Sequence, residues 1–541
     1  MATDTGGAYG RPRAHFNETL AAVGPGTACG ELLRRYWHPV ALSESVSSVP
    51  RMVRILGEDL VLFRDRKGRA GLLYPRCMHR GTSLYYGRVE QDGIRCCYHG
   101  WLFDVEGHCL DQPCEPERGR HRDTARQPWY PVQERYGLVF AYLGPPQKRP
   151  LLPAYDNLEA IAPAETLWRS YGGFGATGDD SLPVVPYSWL HMNDNVMDPF
   201  HVQVLHSTFS TVQFVPQFAV MPQVDFFPTE AGVCYSAVRQ LPDGREVERI
   251  SSWLLPNIMS VPDVTLKAGP STGISWVVPV DDTHYIQAMV ARVPKDMPFR
   301  NMLFNGKTWG RMSEAEHRDT PGDFEAQAGQ GPITLHSDEH LVTSDRGIIM
   351  LRRMLLEQME VVAAGGDPIG VNFEAGAALV KVRSGNFYRA RAGAWLNMLR
   401  LKFYSPGEGS AESIEPGEFF RFIGSMLCRG AANDAVATWM SGWLLRDAQF
   451  ARAECLDPVV IYFENNAGLA SCAYGPFEGL HVTDGAAWTG TRQLARLDPL
   501  TLLWHPPRAP DGWASLLVAP PGKSRFDLAG DQGRRGQAGR G

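Results

Sequence analysis

Cys77-Met78-His79 and Cys96-Cys97-Tyr98-His99 each supply a thiol and an imidazole, with sixteen residues between the two motifs. A zinc finger groups its cysteines on one side and its histidines on the other. Interleaved Cys–His pairs suit two inequivalent metals instead, one taking Cys77 and Cys96, the other His79 and His99. That is the ligation of a [2Fe–2S] cluster in which two His replace two Cys on one iron and raise its potential. Gly81 follows the first pair, while Gly100 and Trp101 follow the second. Glycines there let backbone N–H groups approach sulfide, where such hydrogen bonds tune the potential. Cys97 sits between the motif positions and is expected not to be a ligand. A Cys109–Cys114 bridge is conceivable from the spacing in HCLDQPCEPE, but a reducing compartment disfavours it.

A second constellation runs from Asn193 to His206, NDNVMDPFHVQVLH. Asp194, Asp198 and His201 are spaced i, i+4, i+7, one stripe of a helix. His206 stands five residues beyond His201, about 140° round an ideal helix. Both imidazoles therefore meet one metal only if the helix is distorted or ends between them. Pro199 fits an interruption, with Asp198 as N-cap and Pro199 as the first helical residue. Two His and a distant carboxylate make the facial triad of non-haem Fe(II) oxygenases, with positions open for dioxygen. The carboxylate candidates are Asp323, Glu325, Asp338, Glu339 and Asp345. Asp345 reads better as an acid favouring a helix dipole, and Glu339 as a surface or structural group.

The elements that must position these residues are mostly strands. VRIL, LVLFR and AGLLY alternate with turn sequences, and IRCCYHGWLFDVEG and YPVQERYGLVFAYLGPP continue the pattern, so about 40–148 reads as a small all-β domain. It follows an N-terminal segment, 1–39; a helix candidate, GELLRRYWHPVAL, straddles the junction. From 165 to 390, strands such as VCYSAVRQL, ISWVVPV and HYIQAMVARV, the last two joined across Asp281-Asp282, precede a helix. That helix is predicted from an N-cap at Ser344 to Gly365-Gly366, with Ile348, Leu351, Leu355, Met359 and Val362 on its buried face. An antiparallel sheet under a long helix is an α+β arrangement. Residues 391–541 form a C-terminal extension with helical-looking stretches, AWLNMLRLKFY and ATWMSGWLLRDAQFARAE, and an added α-rich domain is one reading of it.

The stretch CMHRGTSLYYGRVEQDGIRCCYHGWLFDVEG closely resembles the Rieske domain of ring-hydroxylating oxygenases, and the second constellation resembles the iron-binding segment of the same family. PGDFEAQAGQGPITLHSDEHLVTSDRGIIMLRR is similar to the C-terminal part of phthalate 4,5-dioxygenase-type oxygenase subunits. The resemblance spans about residues 25–390. It implies a Rieske β-domain, then a helix-grip catalytic domain whose iron is held by His201, His206 and Asp323. It also implies that Asp198 links that iron to a neighbouring subunit's cluster, within a homotrimer. The implied reaction is O2-dependent hydroxylation or O-demethylation of an aromatic or similar organic substrate, with electrons passed from NAD(P)H by a separate reductase.

The 541 residues have 44% hydrophobic and 21% charged residues, ordinary for a globular protein, and a net charge of −6 gives no field for general nucleic-acid binding. No apolar run approaches the ~18 residues of a membrane span. The N-terminal stretch has no apolar core of a secretory signal, and ten Cys are too sparse for a disulfide scaffold. A cytoplasmic setting is expected. Cys428, Cys455 and Cys472 do not form a plant-type ferredoxin spacing, and there is no convincing dinucleotide-binding Gly run, which also puts the reductase on another chain. Two other classes compete. A Rieske electron-transfer protein without oxygenase activity leaves His201 and His206 unexplained, and a zinc-stabilised binding module predicts colourless protein.

Overall fold

The computed structural model describes residues 10–120, 122–173, 182–242, 244–296, 307–374 and 379–390, and separate strands between 401 and 518. Its contacts form two compact units, one of residues 1–241 and 247–388 and one of 242–246 and 389–541. The regions expected at 40–148 and 165–390 both fall within the first unit, apart from the short 242–246 segment and the last two residues.

The helix expected over GELLRRYWHPVAL is confined to Ala28–Leu33, with Thr27 as N-cap accepting from Gly30 N–H at 3.1 Å. Its second half is a strand, Trp37–Leu42, paired antiparallel with Leu138–Tyr142 and irregular between Pro39 and Ala41. Pro39 explains the switch, because a proline lacks the N–H a helix interior needs and is tolerated at a bulge. A four-stranded sheet follows in the order Arg51–Ile55, Glu58–Arg64, Ala70–Leu73, Trp129–Tyr130. The Leu56-Gly57 hairpin tip donates its N–H groups to the carbonyls of Pro279 and Val280 at 3.0 and 2.9 Å, tying the first β-sheets to the large one. A second four-stranded sheet joins Arg88–Val89, Ile94–Arg95, Leu102–Phe103 and Cys109–Asp111. Its small core contains Val61, Phe63, Leu84, Ile94 and Phe103, together with Cys77 and Cys96.

The large sheet runs in the order Glu165–Gly172, His284–Pro294, Gly273–Asp281, Ile258–Ser260, Arg245–Leu254, Gly232–Gln240, Gln223–Pro228. The hairpin expected at Asp281-Asp282 is there, with Asp281 opposite His284. One face is covered by the helices Trp189–Val196 and Arg346–Ala363. Trp253 Nε1 donates to Asn193 Oδ1 at 2.7 Å, fixing the first helix to the sheet. Gly347 lets the second approach closely: a Cβ there would lie 2.3 Å from the Met197 carbonyl oxygen and 2.4 Å from the Phe226 ring. Arg352 joins the two helices, reaching Asp194 at 2.7 Å and Glu339 at 2.6 Å. The long helix begins one residue later than predicted. Ser344 lies in a 3₁₀ turn, Thr343–Asp345, and Asp345 is the residue before the helix, its carboxylate accepting from Val342 N–H at 2.7 Å. Leu351, Leu355 and Met359 form the buried face, while Ile348 and Val362 are half-buried.

Beyond residue 400 the described residues are all strand, including Leu401–Tyr404 at the end of the stretch expected to be helical, which pairs with Ala411–Ser413 and Ser515–Val518. The second expected helix, 437–454, lies outside the described residues.

Candidate metal centres

The two Cys–His motifs occupy equivalent loops. Cys77 N–H donates to the Thr82 carbonyl at 2.8 Å and Gly81 N–H returns to the Cys77 carbonyl at 2.8 Å. Cys96 N–H donates to the Trp101 carbonyl at 2.8 Å and Gly100 N–H returns to the Cys96 carbonyl at 3.1 Å. Gly81 and Gly100 close these loops with φ of 78° and 72°, where a side chain would be strained. Cys77 and Cys96 are buried at 2% and 3% exposure, while His79 and His99 stay half-buried with ring centroids 4.5 Å apart. Trp101 stacks on His79 at 4.6 Å with the planes 2° apart. Burial pushes the Cys77 thiol up to about 12; the backbone N–H groups of His79 and Arg80 pull the other way, and the neighbouring Cys96 adds to the rise. Two buried sulfurs beside two adjacent imidazoles fit a cluster with Cys on one iron and His on the other. Cys97 is exposed, and Cys109 and Cys114 are both free thiols, so the conceivable bridge between them is not formed.

At the second constellation the five-residue spacing is met by a change of helix type. After the helix Trp189–Val196, Asp198 Oδ1 accepts from Phe200 N–H at 2.9 Å and His201 N–H at 3.3 Å, capping the turn His201–Gln203. Val204–Thr208 then winds as a π-helix, with Phe209 N–H bonded to the Val204 carbonyl at 2.8 Å. Bonds from i to i+5 widen the turn, and such turns recur at functional sites. The rings of His201 and His206 come within 5.2 Å of each other.

Asp323, first residue of the helix Asp323–Ala328, completes the group. Its Oδ1 lies 3.2 Å from His206 Nε2 and 3.5 Å from His201 Nε2, and all three donors fall within 4.8 Å of one another. Ligands about 2 Å from one metal stand roughly this close together, so the donor set fits a single ion. Each ring is held through its other nitrogen. His201 Nδ1 faces the Asp198 carbonyl at 2.5 Å, and His206 Nδ1 faces Gln213 Oε1 at 2.8 Å. Gln213 donates its amide to the carbonyls of Leu205 and Pro321, which leaves Oε1 as the acceptor for His206. Nδ1 thus faces an acceptor in both rings, which leaves Nε2 as the nitrogen turned to Asp323 and the one a metal would take. Asn195 Nδ2 donates to Asp323 Oδ1 at 2.9 Å. Burial alone would raise the Asp323 carboxyl, yet His201 and His206 hold it well below the usual carboxylate range. Burial lowers His201, but Asp198 and Asp323 outweigh it and raise the imidazole to about 10. The surroundings favour positive charge at this point.

The other carboxylates are engaged elsewhere. Glu325 accepts from Gly322 N–H and Trp309 Nε1 and lies 2.7 Å from His317. Glu339 is tied to Arg352, Asp345 accepts from Val342 N–H in the turn before the long helix, and Asp338 faces Arg11 at 3.5 Å. Sequence reasoning did not single out Gln213 or Asn195. Asn195 stands within the Asn193–His206 stretch and was open to notice; Gln213, seven residues beyond His206, belongs to no motif.

Residues 36–131 match the Rieske [2Fe-2S] domain family. The α subunit of phenoxybenzoate dioxygenase from Ectopseudomonas oleovorans is 57% identical over 389 residues, 72% of this chain and 95% of that one. The chain belongs to the Rieske non-haem iron oxygenase α subunits. This oxygenase is also 37% identical to the tert-butanol monooxygenase / tert-amyl alcohol desaturase oxygenase subunit of Aquincola tertiaricarbonis, over 67% of the chain and 80% of the relative. It is 35% identical to the 5,5'-dehydrodivanillate O-demethylase oxygenase subunit of a Sphingobium species, over 66% and 82%. It is an O2-using oxygenase component that carries a Rieske cluster and mononuclear iron and works with a separate reductase. The two competing classes, a bare electron carrier and a zinc module, fall away. No helix among the described residues is long and apolar enough to cross a membrane.

Proposed function

We propose that Cys77, His79, Cys96 and His99 hold the Rieske cluster and that His201, His206 and Asp323 hold the catalytic iron, where an aromatic substrate is hydroxylated or O-demethylated. The observation that carries this reading is the convergence of His201, His206 and Asp323 across the π-turn. The bound metals supply electron storage and dioxygen activation. The protein supplies the rest. Asp198 and Gln213 fix the tautomer and orientation of the two imidazoles, and Asn195 steadies the carboxylate. Trp101 holds the His79 ring from one side.

The domains proposed are an N-terminal segment to residue 39, a Rieske domain at 40–148, a catalytic domain at 165–390 and an extension at 391–541. Asp198 uses Oδ1 as a helix cap and leaves Oδ2 beside His201 Nδ1 at 3.5 Å. We assign it the role of bridging His201 to a cluster histidine of a neighbouring copy in a head-to-tail homotrimer. The setting proposed is cytoplasmic, with neither nucleic acid nor membrane as partner. The electrons come from NAD(P)H through the reductase. The 57% identical relative, named for phenoxybenzoate, makes aryl ethers and aromatic acids the first substrates to try.

Metal analysis of purified protein with a visible spectrum tests the assignment. The protein should be red-brown, with about two cluster irons, two sulfides and one further iron per chain. Cys96→Ser should bleach it and Cys97→Ser should not. His206→Ala and Asp323→Ala should keep the colour, lose the third iron and lose oxygenation of an aryl-ether and aromatic-acid panel. Retention of that iron in Asp323→Ala with its loss in Glu325→Ala would move the carboxylate ligand to Glu325.

A further inference from the structure

One helical turn from the Asp323 carboxylate, a set of buried polar groups stands without partners. His191 and Gln327 are each 2% exposed, and Tyr187 and Tyr285 are fully buried. Among the described residues, neither ring nitrogen of His191, neither amide atom of Gln327 and neither phenol hydroxyl makes a hydrogen bond. Buried polar atoms are nearly always paired, with protein or with ordered water. So many unpaired atoms in one place mark a site that internal water completes.

Two helices fix where these groups stand. Asn195 donates to Asp323 at one end of the pair Trp189–Val196 and Asp323–Ala328, and Ser188 N–H donates to the Pro332 carbonyl at 2.8 Å at the other. The helices therefore run in opposite directions. His191 is four residues before Asn195 and Gln327 four after Asp323, so each shares a helix face with a member of that contact. Tyr187 extends the set towards the iron ligands. Its ring lies 5.4 Å from His191, 5.7 Å from Phe324 and 5.7 Å from Tyr285. Burial raises both phenols and the Asp323 charge adds to the rise, so both keep their protons.

At its other end the set meets the surface. His336 is half-buried and is followed by exposed Ser337 and Asp338. Asn17 N–H donates to its Nδ1 at 3.1 Å, which leaves the ring proton on Nε2, a buried nitrogen with no acceptor among the described residues. Against burial, Arg352, His336 and His191 hold the Glu339 carboxyl down, so both imidazoles lie around one carboxylate. Burial, joined by positive charge at His336 and Arg352, lowers His191 to about 4 against the pull of Glu339. A neutral imidazole has one nitrogen to accept a proton and one to donate it.

Hydroxylation and O-demethylation both consume protons. One O2 takes up two electrons and two protons; one oxygen atom enters a substrate C–H bond and the other leaves as water. The reductase and the cluster supply the electrons, and a site shielded from solvent needs a separate route for protons. We propose that His336, His191, Gln327 and Tyr187, joined by internal water, form that route, from the surface beside the N-terminal segment to the iron centre. His336 releases its Nε2 proton inward and regains one from solvent. His191 accepts on one nitrogen and donates from the other, and Gln327 holds the connecting water. Tyr187, beside the first turn of the Asp323 helix, is the inner end, giving up its O–H proton and regaining one from His191. Each member is unchanged after a cycle. The proposal rests on the iron-ligand reading above and adds the residues that deliver its protons.

Two measurements on the metal-loaded enzyme test it. A crystal structure of the oxidised holoenzyme should show ordered water bonded to His191 and Gln327, and a dry contact between these side chains overturns the proposal. His191→Phe removes both relay nitrogens, and replacing unpaired buried polar atoms by an apolar group of similar shape is close to neutral for stability. With reductase in excess, the variant should keep the cluster spectrum and the third iron, and bind an aryl ether within about twofold of wild type, yet lose about tenfold or more in kcat. Its turnover should also show a larger solvent isotope effect in D2O than wild type, and Tyr187→Phe should behave likewise. Loss of kcat with an unchanged isotope effect makes His191 a packing residue and overturns the relay; so does wild-type kcat in both variants. If His191→Phe does not accumulate, the ordered water and Tyr187→Phe decide. Wild-type protein that lacks the third iron and turns over no arene loses the iron-ligand reading itself. An enzyme that keeps iron and turnover but fails the tests above loses only the relay.

Discussion

Asp198 has two oxygens with two environments. Oδ1 is committed to the N–H groups of Phe200 and His201, which is helix capping worth about 1 kcal/mol. Oδ2 lies near His201 Nδ1, the half of the ring that a bound metal does not occupy. Asp198→Asn separates these roles, because Asn caps as well as Asp but brings no charge. The variant should retain both metals and its thermal midpoint, yet transfer electrons from cluster to iron slower by orders of magnitude. Single-turnover oxidation of the reduced cluster gives the answer; an unchanged rate reduces Asp198 to a cap. At this scale the sequence was highly informative, since residue type and spacing pointed to Cys77, His79, Cys96, His99, His201 and His206 before any fold was known. Asp323 was harder to reach. Spacing left five acids open; the resemblance pointed to Asp323, and the packing of its helix beside the π-turn sets it apart from Glu325, two residues away.

Elements showed where sequence patterns stop short. The interval between His201 and His206 was legible as a geometric conflict, but the π-turn that resolves it was not, since a shift from i+4 to i+5 bonding leaves no mark in hydrophobic periodicity. The start of the long helix at Arg346 has a similar cause: Ser344 and Asp345 are both absorbed in a 3₁₀ turn that the Asp345 carboxylate closes on Val342 N–H, a turn that leaves no mark in the apolar spacing. The buried face was read well. Leu355 is fully buried there and Ile349 is exposed. Leu355→Ala should therefore cost about 2–5 kcal/mol in urea unfolding, while Ile349→Ala should stay within about 0.5 kcal/mol. Comparable losses would mean that the helix is not anchored by that stripe. In the cluster-bearing sheet, hydrogen bonds from Arg95 hold Glu90 down to about 2, with Arg88 adding to the effect. A carboxyl depressed below its ordinary 4.5 stabilises the fold above that pH and loses the contribution as pH falls through about 2. Glu90→Gln should flatten the stability-versus-pH curve between about 4.5 and 2 relative to wild type. A curve of unchanged slope would mean that Arg95 and Glu90 do not couple to folding.

For the whole molecule, the trimer assignment makes a prediction that no single chain can satisfy. On the proposed ligands, Cys96→Ser chains should lack the cluster and His206→Ala chains the catalytic iron, so each alone should be inactive. If electrons cross between copies, oligomers mixed from both should recover part of the activity, and sedimentation should report three chains. Mixed oligomers as dead as their parents would confine the path to one chain. The mirrored loops around the cluster bear on this route in another way. Their sulfurs lie inside a packed apolar core, whereas the two imidazoles share the surface with exposed Tyr98 and Met78. On the proposed ligation the protein would work like an insulated cable stripped at one end: current would enter and leave at the imidazole edge, and whatever is seated there, donor or acceptor, would have to take its turn.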